Sequence, residues 1–153
     1  MAELRVGQKA PSFTLEGSDG RKHTLKEFLG KKVVLYFYPK DNTSGCTKEA
    51  CSFRDNLGAI EEKGAVVVGM SPDSAASHRK FIEKQGLNFL LLSDEDKAAL
   101  EPYGVWKQKS LYGRTYMGVE RTTVVIDEKG VITHIFPKVK VDGHTEEVLN
   151  ALS

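Results

Sequence analysis

Three short, unbroken apolar runs recur along this chain: Val33-Val34-Leu35-Tyr36-Phe37-Tyr38, Ala65-Val66-Val67-Val68-Gly69-Met70 and Phe89-Leu90-Leu91-Leu92. A run of this length without polar alternation reads as a strand covered on both faces, the environment of a parallel sheet. Helix-period stretches separate the runs. From Cys46 to about Glu62, Ala50, Phe53, Leu57 and Ile60 fall at helical spacing, and Gly64 stops the pattern. After the second run a helix is predicted to start near Ser71-Pro72-Asp73 and to reach Gln85. After the third, Ser93 is predicted to cap a short helix from Asp94 that Pro102 closes off.

The flanking segments carry other signals. Ser12 to Leu15 and Arg21 to Thr24 read as a hairpin about Ser18-Asp19-Gly20. Thr24-Leu25-Lys26-Glu27 has the capping-box spacing of a short helix, ended by Gly30. Tyr103 to Glu120 reads as a loop, Thr122 to Ile126 and Val131 to Phe136 as a hairpin about Asp127-Glu128-Lys129-Gly130, and Thr145 to Leu152 as a last helix. The order implies a largely parallel sheet with an antiparallel edge and helices on both faces. That is an α/β, thioredoxin-like fold: a central mixed sheet flanked by helices, preceded by an N-terminal hairpin. With 153 residues the chain is expected to form a single domain over residues 1–153.

Charge and hydropathy remove several functional classes. The 22 basic and 21 acidic side chains leave a net charge of +1, with no basic surplus to hold a phosphate backbone, so no nucleic-acid partner is expected. The apolar runs are too short to cross a bilayer, and the first ten residues lack the apolar core of a signal peptide. No membrane partner and a cytoplasmic location are therefore expected. In a reducing compartment a cysteine pair points to transient redox chemistry or metal binding rather than to a permanent staple.

The chain has two cysteines, Cys46 and Cys51. Cys46 stands where a Gly-containing loop gives way to a helix. A thiol there faces unpaired backbone N–H groups and the positive end of the helix dipole, which favour thiolate over thiol. On one regular helix, five residues give roughly 8.7 Å between Cα atoms. A disulfide needs less than about 7 Å, so the two thiols can join only if the helix opens. Cys46 would then react first with something external. A sulfenic acid is the product that condenses with a second thiol, and the chemistry suggested is peroxide reduction. The same residues also read as inert, since free cysteine is commonly a buried small hydrophobe, and Cys51 fits that description better than Cys46. The spacing matches no usual zinc pair, and His23, His78, His134 and His144 are scattered singly, each read as a surface or satisfied residue.

Pro39-x-x-x-Thr43-x-x-Cys46 resembles the active-site motif of the peroxiredoxins, and Gly45 to Asp55 resembles their Q-type subfamily, the bacterioferritin comigratory proteins. Gly7 to Phe13, Tyr103-Gly104-Val105-Trp106 and Arg121 to Asp127 extend the similarity over nearly the whole chain. The resemblance implies a thioredoxin-dependent peroxidase acting on hydrogen peroxide and organic hydroperoxides. Cys46 would be the peroxidatic nucleophile and Cys51 the resolving thiol, giving an intramolecular disulfide that thioredoxin or a similar dithiol reduces. Arg121 would stabilise the thiolate and the charge leaving with the departing oxygen. Thr43 would hydrogen-bond the peroxide, with helix capping as its alternative role. Backbone N–H groups around Gly45 and Cys46 would add donors, Pro39 would shield the thiolate, and Glu49 would orient the arginine. No metal or organic cofactor is implied, and the subfamily resemblance points to a monomer. Trp106 and Tyr112 read as an apolar rim or as core, with Trp106 assigned to core. Ser44 departs from the family, which commonly has proline there; the loss of a fixed φ should loosen the loop.

Rival functions remain on the same fold. A thioredoxin-like disulfide oxidoreductase would place its thiols at C-x-x-C, whereas the spacing here is C-x-x-x-x-C. A copper-binding chaperone would want closer thiols and a dedicated histidine. A peroxide sensor would share the first oxidation step but not a full donor cycle.

Overall fold

The computed structural model describes residues 4–152. Its strands are β1 (Thr14–Gly17), β2 (Lys22–Thr24), β3 (Lys32–Phe37), β4 (Ala65–Ser71), β5 (Leu90–Ser93), β6 (Trp106–Leu111), β7 (Arg114–Val119), β8 (Thr122–Ile126) and β9 (Ile132–Phe136). Its α-helices are α1 (Ser44–Glu62), α2 (Ala75–Gln85) and α3 (His144–Ala151).

Seven strands form one mixed sheet in the order β2-β1-β5-β4-β3-β8-β9. The apolar runs become the parallel centre, with β4 between β3 and β5. Antiparallel pairs close both sides: β8 on β3, and β1 on β5. The N-terminal hairpin thus extends the same sheet. Period-two alternation divides even the fully apolar β3: Val33, Leu35 and Phe37 join one buried cluster, Val34 and Tyr36 the other. The second cluster holds Phe53 and Ile60 of α1, Phe81 of α2 and Val148 of α3, so all three α-helices share that face. The opposite face, expected to carry a helix, is covered instead by Leu25 of a 3-10 turn and by Ala99, Leu100 and Tyr103.

Three local differences from the sequence reading have physical causes. Residues 95–104 form successive turns rather than a helix. The cap there is Asp94, whose carboxylate accepts from the backbone N–H groups of Ala98, Ala99 and Leu100 at 2.8, 2.9 and 2.7 Å. Lys97 at φ 61° breaks any helical run, and the Ser93 hydroxyl donates to the Asp73 carbonyl instead of capping. The capping-box segment Leu25–Phe28 is a 3-10 turn, with Glu27 accepting the Thr24 N–H at 2.7 Å. The loop expected from Tyr103 to Glu120 contains the β6–β7 hairpin, turned at Tyr112 (φ 50°) and Gly113 (φ 76°), a two-residue turn with both φ positive. Most of its side chains are exposed, so no buried face imposed an apolar alternation for sequence reading to find. Tyr112, 96 % exposed, is therefore not core; Trp106 is half-buried and packs against the first cluster. Among the described residues, no helix is long and apolar enough to cross a membrane.

Candidate active site

The loop after β3 leaves the C-terminal end of a parallel strand, where open α/β sheets place their ligands. Tyr38 extends the strand by donating its N–H to the Met70 carbonyl at 3.1 Å. Asn42 at φ 64° then reverses the chain, and α1 begins at Ser44 with Thr43 as its N-cap. Thr43 caps with its backbone only. Its carbonyl accepts from Thr47 at 2.8 Å, while its hydroxyl turns away to donate to the Lys40 carbonyl at 3.0 Å. Cys46 therefore lies in the first turn of α1, 2 % exposed, as a free thiol.

β3–β8 pairing brings the cation. The antiparallel register Phe37↔Thr122 sets Arg121 beside the mouth of the same loop. Its Nη2 donates to Cys46 Sγ at 3.3 Å, and its Nη1 to Glu49 Oε1 at 2.6 Å. Glu49 stands three residues after Cys46, close to one helical turn, so one planar guanidinium spans both side chains. Gly45 leaves room for this approach: a Cβ there would sit 3.3 Å from Arg121 Nη2, close enough that the guanidinium would have to shift by a few tenths of an ångström. Cys46, Glu49, Gly45 and Arg121 are thus brought together. Pro39 is half-buried in the same loop.

The cluster's electrostatics are uneven. Burial pushes the Glu49 carboxyl up from 4.5 to about 7, with the charge and hydrogen bond of Arg121 working against the rise. Burial disfavours the charge on Arg121, but Glu49 and Cys46 beside it outweigh this and hold the guanidinium above its usual value. Among the described residues, Glu49 Oε2 and the Tyr36 hydroxyl are the buried side-chain polar atoms without a hydrogen-bond partner. Burial first, then the nearby charges of Glu49 and Cys46, push the Tyr36 phenol well up. The β6–β7 hairpin faces the same field: Lys109 is lowered by partial burial and then by Arg121.

Cys51 is half-buried on the same unbroken helix, and its thiol lies 3.7 Å from Gln85 Oε1. The structure thus keeps the two thiols on separate stations of α1 with different partners. Further contacts clasp this part of the helix. Arg54 donates to the Gln85 carbonyl, Lys48 pairs with Asp142, and Ser52 Oγ meets Thr145 Oγ1 at 2.5 Å.

Asp41, Asp73 and His78 could be taken for a metal centre, with ligand atoms within 4.8 Å of one another. Each, however, is already engaged in protein hydrogen bonds that tie the loop after β3 to β4, β5 and α2. The single histidines do find ordinary partners. His23 sits between Asp19 and Glu27, and buried His144 between Thr123 and Glu147. Sequence reasoning passed over Asp41, Tyr36 and Gln85, because nothing in their local pattern distinguishes them from core or surface residues.

Known proteins are similar to this chain over most of its length. The AhpC/TSA family model matches residues 6–135. Peroxiredoxin Bcp of Bacillus subtilis is 48% identical over 149 residues, covering 97% of this chain and 95% of the relative. A solved mutant of peroxiredoxin Q from Xylella fastidiosa superposes with a TM-score of 0.93 at 37% identity, covering 99% of this chain and 97% of that one. A bacterioferritin comigratory protein from Xanthomonas campestris, solved in connection with its alkyl peroxide reduction activity, gives 0.87 at 41% identity, over 92% and 89% of the two chains.

Proposed function

The chain belongs to the AhpC/TSA family, and from its standing there as a thiol-dependent peroxidase of the peroxiredoxin type we propose how its residues divide the reaction. Cys46 is the peroxidatic nucleophile. Its thiolate attacks one peroxide oxygen, an S–O bond forms as the O–O bond breaks, and the electron pair leaves on the second oxygen, which takes a proton to become water or an alcohol. Arg121 supports this reading most directly, since a single guanidinium lies 3.3 Å from Sγ and is braced by Glu49 at 2.6 Å. A fixed cation at that place stabilises both the thiolate and the negative charge transferred to the departing oxygen.

Thr43, its proton committed to the Lys40 carbonyl, offers its oxygen as acceptor to the peroxide O–H. Backbone donors at Gly45 and Cys46 complete the cradle, and Pro39 shields it. Cys51 then attacks the sulfenic sulfur, water leaves, and an intramolecular disulfide forms after the first turns of α1 unwind. A dithiol donor, thioredoxin by this reading, returns two electrons to both sulfurs. The substrates are hydrogen peroxide and organic hydroperoxides, the Xanthomonas relative's alkyl peroxide activity favouring the second class. The enzyme acts as a monomer of one thioredoxin-like domain in the cytoplasm, where such donors are kept reduced.

Peroxide consumption coupled to thioredoxin and its reductase tests the assignment. Cys46→Ser should abolish turnover. Cys51→Ser should leave one equivalent of peroxide reduced and no recycling. Sustained turnover by Cys46→Ser would overturn it.

A further inference from the structure

The loop carrying Pro39 and Thr43 is anchored by a buried polar network separate from the Cys46–Arg121–Glu49 cluster. Asp41, 5 % exposed, accepts from the Tyr38 hydroxyl at 2.6 Å on one carboxylate oxygen and from the Ser77 hydroxyl at 2.8 Å on the other. His78 Nδ1 lies 2.8 Å from that second oxygen. The Asp41 backbone N–H donates to Asp73 Oδ2 at 2.8 Å, an oxygen that also accepts from the Ser71 hydroxyl at 2.7 Å.

His78 is fully buried, with Nε2 at 2.9 Å from the Leu92 carbonyl. A carbonyl only accepts, so Nε2 carries a hydrogen. The gap between Nδ1 and Asp41 must hold a proton too, because a bare ring nitrogen and a carboxylate would repel across it. The pair is therefore imidazolium with carboxylate, or imidazole with carboxylic acid, and has no net charge in either form. Buried pairs of this kind are weak sources of stability, since desolvation offsets their attraction.

Its placement accounts for it better. Asp41 is two residues from both Pro39 and Thr43, and the intervening Asn42 sits in the left-handed region at φ 64°. The direction in which Thr43 leaves that reversal depends on how Asp41 is held. Ser77 and His78 belong to α2, whose far end places Gln85 against Cys51. We infer that His78, acting through Asp41, is a positioning residue that aims the Thr43 hydroxyl at a peroxide over Cys46. The inference rests on the peroxidatic role proposed for Cys46.

The test compares two reactions of the reduced full-length protein in a Cys51→Ser background, where only Cys46 reports. One is stopped-flow reaction with hydrogen peroxide, and the other is alkylation by iodoacetamide, which needs the Cys46 thiolate but not the Thr43 hydroxyl. Asparagine at position 78 sets an amide N–H near the place of Nδ1 and can still donate to Asp41. Glutamine reaches instead toward the place of Nε2 and the Leu92 carbonyl. His78→Gln is expected to slow the peroxide reaction about thirtyfold while alkylation stays within about twofold, and His78→Asn to recover most of the peroxide rate. Equal peroxide rates in the two variants, or parallel losses in both reactions, overturn the inference. Should neither variant fold, Ser77→Ala removes one donor to Asp41. A loss of about threefold with peroxide and none in alkylation supports the inference. An unchanged peroxide rate, or a parallel loss of alkylation, overturns it. If the unaltered His78 background alkylates yet does not react with peroxide, the role of Cys46 itself fails, and the inference with it.

Discussion

Glu49→Gln separates the two influences on the braced arginine. Burial raises the Glu49 carboxyl from 4.5 to about 7 although Arg121 donates to it at 2.6 Å. The folded protein therefore holds this proton more tightly than the unfolded chain. Stability from the group is fully present below about pH 4.5 and declines as pH rises, until the carboxyl is ionised in both states above about pH 7. The shift from 4.5 to about 7 corresponds to about 3 kcal/mol at 1.36 kcal/mol per unit. Glutamine keeps an oxygen for Arg121 Nη1 but has no proton to lose. Urea unfolding of the reduced proteins between pH 4.5 and 8 measures the effect as the stability of the native chain minus that of Glu49→Gln. The difference should fall by about 3 kcal/mol across the window, other titrating groups cancelling between the two chains. A difference that stays flat, or that grows with pH, would be incompatible with a carboxyl held neutral by burial. Growth would mean that the ion pair with Arg121 outweighs burial.

Other variants probe the opening step and the approach of Arg121. Gly45→Ala should raise helix stability by about 0.5–1 kcal/mol, yet slow peroxide reduction about tenfold, because the new Cβ crowds Arg121 Nη2; unfolding melts and stopped-flow kinetics measure the two effects. Ser44 is the first residue of α1, where proline is well accommodated, so Ser44→Pro should add about 0.4–1 kcal/mol and slow disulfide formation. Faster disulfide formation in that variant, followed by quenched-flow thiol counting, would contradict the idea that Ser44 loosens the loop. Thr145→Val removes the Ser52 contact that ties α1 to α3 and should speed disulfide formation about threefold without changing the first reaction with peroxide.

The sheet centre was readable because its strands are buried on both faces, and α1 because Ala50, Phe53 and Ile60 repeat with the helical period. The Cys46 position was readable because a strand, a Gly-containing loop and a helix start leave little choice for a thiol at that junction. The β6–β7 hairpin was not, because Lys107, Gln108 and Thr115 face solvent and carry no alternation, and Tyr112 supplies a positive φ usually signalled by Asn or Gly. Residues 95–104 misled because Ser93 before Asp94 reads as a helix cap and Pro102 as its stop, while the Ser93 hydroxyl is spent on the Asp73 carbonyl and Lys97 takes a backbone conformation that its identity does not announce. Arg121 was found through resemblance. Its contact with Cys46 depends on the β3–β8 register, a long-range pairing that no local pattern encodes. Asp41 and His78 stayed hidden for the same reason, being 37 positions apart in sequence.

Cys46 and Cys51, on one unbroken helix, can meet only when that helix comes apart. The decisive measurement is hydrogen exchange across residues 47–52, whose amides bond within α1, read by mass spectrometry on the reduced protein and on protein treated with one equivalent of peroxide. Protected amides are expected in the reduced form. In the oxidised form, a mapped Cys46–Cys51 disulfide should come with rapid exchange over the same residues. A mapped disulfide with the protection of residues 47–52 unchanged would mean that the thiols join without unwinding α1.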